Sequence, residues 1–376
     1  KELPFCTEKY NRLLGTEIPA EEMLEMLRRL EIETVKTGEG DCRLRIPYFR
    51  QDLNCDADIA EEVARFYGYD KIPTTLPAGE ATAGKLSYKL RIEQKARDIA
   101  EYCGFSQGMS YSFESPKVFD KLLLSPEDGL RQTVTISNPL GEDFSIMRTN
   151  VLNGILSSLS FNYNRRNRDV RLYELENIYL PKALPLTELP DERMQFVLGF
   201  YGEGDFFTLK GVIEEFFTVV GMKKKPLYDP HGEKSFLHPG RQALVKYEDT
   251  VVGYLGEVHP EVLDNYEIGA KAYVAVLDMP SLLPFTTFDR KYEGIAKYPA
   301  VTRDISMVVP REILAGDIEG MILQRGGKLL ESCQLFDVYE GAQIKTGFKS
   351  VAYSITFRAK DRTLEEADVN GAMKKI

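Results

Sequence analysis

The chain has 376 residues, 43% of them hydrophobic and 28% charged, and a net charge of -10. That length exceeds one ordinary core and calls for two or three domains of globular rather than disordered character. The acidic balance excludes a surface that binds nucleic acid as a whole, so any RNA contact has to be local.

No apolar run approaches the roughly 20 residues that cross a bilayer, and the opening KELPFCTEKY has no signal-peptide pattern. A cytoplasmic protein without membrane partners is expected. Five cysteines (Cys6, Cys42, Cys55, Cys103, Cys333) are odd in number and widely spaced, which supports neither a disulfide framework nor a zinc knuckle. Three histidines, His231, His238 and His259, show no metal-ligand spacing.

In chain order, Pro19–Leu30 predicts a helix, with Met23, Leu24, Leu27 and Leu30 on its apolar face. A short strand follows at 44–47, then a helix from Asp58 to Tyr67 closed by Gly68. The Pro- and Gly-bearing stretch 74–84 reads as a linker, which sets a first domain at 1–74. The middle segment, 85–285, opens with a helix near 88–103. Strands are expected at 108–113, 133–136, 170–174 and 196–200, with helices near 150–162 and 208–220. Several strands adjoin without a helix between them, so a mainly antiparallel α+β sheet is expected rather than a doubly wound one. The last segment, 292–376, reads strand 303–309, helix 315–325, strand 332–339, strand 350–358 and helix 364–375. That order is one strand short of a ferredoxin-like plan.

Asp52, Asp56, Asp58, Glu61 and Glu62 form the densest acidic cluster. Helical spacing puts Asp58, Glu61 and Glu62 on one side, where two or three carboxylates suffice for magnesium. The same residues also read as a capping box, Asp58 to Glu61, complementing a helix dipole, and this is the commoner use of such a pattern. The basic runs Asn164–Arg168 and Lys223–Lys225 read first as solvated turns. In the last segment, alternation turns Ile305, Met307, Val309, Tyr353, Ile355 and Phe357 toward the helices. Ser306, Asp337, Tyr339, Ser354, Thr356 and Arg358 fall on the other face. That face suits stacking on unpaired bases, and it equally suits an ordinary exposed sheet. Nucleophile elbows, phosphate loops and dinucleotide-binding glycine turns are absent from the sequence.

Longer strings add a family resemblance. The string RQDLNCDADIAEEVARFYGYDKIP (50–73) resembles the small domain before the core of the phenylalanyl-tRNA synthetase beta subunit. NPL (138–140), MRT (147–149), HPGR (238–241) and GEVHP (256–260) resemble that family's core. YPAVTRDI (298–305), FDVYEG (336–341) and DRTL (361–364) resemble its ferredoxin-fold anticodon-binding domain.

The resemblance implies an α+β protein in three parts: a small helical domain, a class II synthetase-like antiparallel core without active-site motifs, and a ferredoxin-like domain lacking its final strand. It implies the C-terminal half of a bacterial-type beta subunit. The catalytic alpha subunit would be its partner, two alpha with two beta, and ATP would be used only through alpha. Phenylalanine tRNA would be bound through Ser306, Tyr339, Thr356, Arg358 and Arg362. The family's magnesium ion, shared with alpha, would fall on Asp52, Asp58, Glu61 and Glu62.

Arg171 to Glu174 has the look of a class II second motif, but no His or second Arg follows within Leu175–Met194. The segment Ala270–Leu277 has no arginine for a third motif. Adenylyl chemistry needs placed cations around phosphates, so a noncatalytic core is expected. The rivals are an independent adenylate-forming enzyme, which would need the missing arginine pair, and a stand-alone RNA-binding module derived from a synthetase.

Overall fold

A computed structural model describes residues 1–36, 42–292 and 294–376. Its contacts divide the chain into two units, Lys1–Lys85 and Leu86–Ile376.

The first unit comprises β1 (Glu2–Pro4), α1 (Thr7–Leu14), α2 (Ala20–Arg29), β2 (Glu33–Lys36), β3 (Cys42–Arg45) and α3 (Asp56–Tyr67). The strands form an antiparallel sheet in the order β1-β3-β2. Met23, Met26 and Leu27 of α2 pack with Tyr10 of α1 and with Ile59, Ala60 and Val63 of α3. Burying one stripe from each of three short helices is what stabilises them, since isolated helices of this length are marginal in water. The second helix starts two residues earlier than the sequence suggested. Cys55 is its N-cap, and Asp58 occupies the third helical position. The expected box from Asp58 to Glu61 is therefore displaced by most of a turn, and Asp58 serves as the acid that reaches back rather than as the cap.

The second unit opens with α4 (Tyr88–Tyr102), β4 (Ser106–Gln107), β5 (Phe113–Glu114), α5 (Val118–Lys121), β6 (Ile146–Met147), α6 (Leu152–Asn164), β7 (Val170–Leu180), β8 (Asp191–Tyr201) and α7 (Phe206–Val219). It continues with β9 (Leu227–Asp229), β10 (Leu237–Tyr247), β11 (Thr250–Val258), α8 (Pro260–Asn265), β12 (Ala272–Asp278) and α9 (Met279–Leu282). Seven strands make one sheet, ordered β4-β7-β8-β12-β11-β10-β9 and antiparallel except at β4–β7.

Both faces of this sheet are covered. Phe196, Leu198 and Phe200 of β8 pack with Ile92 and Ala96 of α4 and Phe216 of α7, while Val197 and Tyr201 pack with Ile155 and Leu159 of α6. The strands expected at 108–113 and 133–136 are largely irregular backbone: only the two-residue ladder β5–β6 and a bridge from Thr135 to Ile146 form there. Met109 and Tyr111 point into solvent, 89% and 76% exposed, so that segment has no buried face to hold it in a long strand.

The remainder is β13 (Val301–Pro310), α10 (Ala315–Arg325), β14 (Leu330–Tyr339), β15 (Phe348–Phe357) and α11 (Glu366–Met373), with sheet order β13-β15-β14. Val351, Tyr353, Ile355 and Phe357 of the central strand bury against Ile318, Ile322 and Val369 of the two helices. Among the described residues, no helix is long and apolar enough to cross a membrane.

Candidate functional site

Three places hold the residues singled out above. In the first unit, Asp52 and Glu62 are brought together by Arg50. Its guanidinium makes two short contacts to Asp52, 3.0 Å from Nε and 2.7 Å from Nη2, and reaches Glu62 Oε1 at 2.9 Å. Arg65, one turn along α3, bonds the other oxygen of Glu62. Burial pushes the Glu62 carboxyl up, but the two guanidinium groups outweigh it and leave it below its ordinary value. Asp58 accepts the backbone N–H groups of Asn54 at 2.6 Å and Cys55 at 2.8 Å, which holds its carboxyl low. Glu61 is exposed on α3.

Four carboxylates supply the oxygen chemistry that magnesium prefers. The arrangement does not hold the ion, because Arg50 stands between Asp52 and Glu62 where a cation would bind and Asp58 is committed to the helix start. Accordingly, no group of three metal-ligating side chains occurs among the described residues.

In the C-terminal sheet, strand register sorts the open face into rows. Thr302, Thr356 and Ser332 form one row; Ser306, Ala352 and Asp337 another; Val308, Ser350 and Tyr339 a third. Ser306, Thr356 and Tyr339 therefore share a face, as alternation suggested, and Tyr339 is 42% exposed. The two arginines are already engaged. Arg358 grips Glu331 at 2.9 and 3.0 Å and the Tyr298 carbonyl at 2.6 Å. Arg362 pairs with Asp368.

The third place was not foreseen as a site. A cavity of about 870 Å³ opens between the β5–β6 region and α6, lined by Ser110, Glu114, Arg148, Asn153, Gly154 and Phe161 among others. Arg148 ion-pairs with Glu176, donates to the Asn177 carbonyl at 2.8 Å, and lies 3.3 Å from Ser110 Oγ. Ser110 Oγ is also 2.9 Å from Glu174 Oε2 and 3.2 Å from Glu176 Oε2. Gly154 is required here, since a Cβ would overlap the Ser110 side chain. Glu114, Arg148 and Glu174 are all nearly fully buried. Burial raises Glu114 from 4.5 to about 7, against the pull of an Asn153 hydrogen bond and the Arg148 charge. The legible signal was the pair of acids Glu174 and Glu176 inside an otherwise buried strand.

The remaining sequence features resolve locally. Lys224 and Lys225 pair with Glu248 and Glu319, each at 2.7 Å. Arg165 of the basic turn lies over the Phe161 ring. His238 and His259 accept backbone N–H groups at Gly240 and Glu261. All five cysteines are free thiols.

Comparison with known proteins follows this geometry. The profile of the phenylalanyl tRNA synthetase beta chain CLM domain matches residues 72–279. The tRNA synthetase B5 domain matches 4–69, and the ferredoxin-fold anticodon binding domain matches 296–376. These describe a beta-type synthetase chain, and the chain belongs to the phenylalanyl-tRNA synthetase beta-chain family. It is 44% identical to the phenylalanine–tRNA ligase beta subunit of Clostridium tetani over 97% of its own length and 46% of that protein. Against the beta subunit of Moorella thermoacetica it is 38% identical over 98% and 47%. The chain thus spans about half the length of the curated relatives it matches. A solved pyrrolysyl-tRNA synthetase from Desulfitobacterium hafniense aligns at a TM-score of 0.43 and 14% identity, covering 52% of this chain and 68% of that one, too loosely to establish a shared fold.

Proposed function

We propose that this chain is a noncatalytic part, the C-terminal half, of a phenylalanine–tRNA ligase beta subunit. It scaffolds a catalytic alpha subunit in an assembly of two alpha and two beta chains in the cytoplasm. Its modules are a small domain at 1–74, a core at 85–285 and an anticodon-binding domain at 292–376. The core contributes architecture and ATP is handled by the alpha subunit. The last module contacts the anticodon stem-loop of phenylalanine tRNA through the face bearing Ser306, Tyr339 and Thr356. Arg358 and Arg362 contribute there only if they leave Glu331 and Asp368.

The observation that carries this reading is the succession of three beta-chain domains along one chain, in order. Magnesium at Asp52, Asp58, Glu61 and Glu62 belongs to the proposal on one condition, that Arg50 releases Asp52 and Glu62 when the alpha subunit docks.

Co-expression with the alpha subunit of the same organism tests the assignment. The chain alone is expected to show no phenylalanine-dependent ATP–pyrophosphate exchange, and a complex containing both chains is expected to show it. Exchange by the chain alone, or failure of the two chains to associate, sinks the reading.

A further inference from the structure

The cavity beneath β5 and α6 has a charge imbalance that the proposed role does not use. Three carboxylates, Glu114, Glu174 and Glu176, meet one guanidinium there, and Arg148 is committed to Glu176. Ser110 has a single hydroxyl proton yet lies within bonding distance of both Glu174 and Glu176, so it serves only one of them at a time. Glu114 Oε1 and Glu174 Oε1 have no hydrogen-bond partner, although Glu114 is 4% exposed and Glu174 wholly buried. A buried carboxylate oxygen left without a donor costs on the order of 1–3 kcal/mol, so such a pair is retained where something supplies the donor. Glu114 lines the open cavity directly, and the mouth around it carries Met109, Tyr111, Phe113, Phe144 and Phe161. Tyr111 and Phe144 meet edge to face at 6.0 Å.

We propose that this cavity is a binding site for a cationic nitrogen group, an ammonium, amidinium or guanidinium, carried on an aromatic or apolar body. The cation reaches Glu114 on the floor and the body rests on the aromatic mouth. The group arrives either on a free small molecule or on a basic side chain of another protein. The inference concerns residues that the ligase role leaves unused and stands apart from it.

Benzamidine is the probe, titrated into the chain by calorimetry, with benzoate and benzyl alcohol as anionic and neutral controls. Benzamidinium is expected to bind and benzoate not to. Glu114→Gln should weaken benzamidinium by about tenfold or more, the worth of one hydrogen bond to a charged group. Ser157→Trp, an exposed α6 position on the cavity wall, should block binding while the thermal unfolding midpoint stays unchanged, and it decides the matter if Glu114→Gln fails to fold. Repeating the titration on the complex with the alpha subunit separates the sources. Retained binding indicates a free small molecule, and lost binding indicates a side chain delivered by that partner. Absence of binding to the free chain, equal binding of benzoate, or benzamidinium affinity unaffected by Ser157→Trp overturns the proposal.

Discussion

Arg171 and Glu174 lie on the same strand, β7, yet serve opposite faces of the seven-stranded sheet. Arg171 pairs in register with Phe200, whose ring it covers at 5.7 Å, on the side packed by α4 and α7. Glu174 pairs with Val197 and turns to Ser110 on the side packed by α6. A strand alternates its side chains with a period of two, so residues at an odd separation cannot meet on one ligand. The arginine–glutamate pattern that resembles an ATP clamp is dismantled by the pleat itself.

Arg171 is therefore expected to have no part in catalysis. Its guanidinium donates to the Glu203 carbonyl at 3.0 Å and stacks on Phe200. Arg171→Ala should cost about 0.5–1 kcal/mol of stability, the worth of a partly exposed cation–π contact. It should leave phenylalanine-dependent ATP–pyrophosphate exchange of the assembled ligase unchanged. A large loss of exchange with normal assembly would restore a role in the chemistry.

Arg50 holds the acidic cluster closed, and its removal should open it. Arg50→Met leaves Glu62 with Arg65 alone and is expected to destabilise the first unit by about 1–3 kcal/mol, read by urea unfolding. The same variant should bind manganese more tightly than the parent chain, measured by paramagnetic broadening of water relaxation. Equal manganese affinity in both would mean that Arg50 does not compete with the ion.

Helices with one apolar stripe were legible in the sequence, and 315–325 is reproduced residue for residue. The strands β10, β11 and β12 were not. A segment such as Tyr273–Leu277 is buried on both faces and shows an unbroken apolar run in place of alternation. The acidic cluster was visible as a string, but its meaning turned on Arg50, two positions before Asp52, and spacing alone does not reveal a bridging guanidinium. The cavity residues come from four separated stretches around Ser110–Glu114, Arg148, Asn153 and Glu174–Glu176, so only the fold brings them together.

Tyr339 and Arg358 should separate in their effects on tRNA. Tyr339 is exposed beside Ser350 on the open face, free to stack on an unpaired base. Tyr339→Ala in the assembled ligase is expected to raise the KM for tRNA by about fivefold or more, since base stacking is worth on the order of 1–3 kcal/mol. Arg358→Ala removes the tie to Glu331 and the Tyr298 carbonyl, and it should lower the unfolding midpoint more than it changes the tRNA dependence. If both variants leave KM unaltered, RNA is bound elsewhere.

Glu114 predicts a pH dependence of stability with a definite sign. Burial raises its carboxyl from 4.5 to about 7 in the folded state, so the native protein binds this proton more tightly than the unfolded chain does. The stabilisation is complete below about pH 4.5 and is lost as pH rises through about 7. A shift of that size corresponds to on the order of 3 kcal/mol. The groups that face Glu114 act consistently with this direction. Glu174 is also raised, by its own burial, and adds to the same slope, while Arg148 is lowered by burial but stays charged throughout the window. Asp52, Asp58 and Glu62 are held low, so their contributions are lost only in more acidic solution. Urea midpoints at about pH 5 and about pH 8 should therefore fall with rising pH in the parent chain. Glu114→Gln carries no titrating proton and should flatten that fall. Identical slopes for the two proteins would show that Glu114 is ionised in the folded state, with a donor from solvent or from a bound cation already in place.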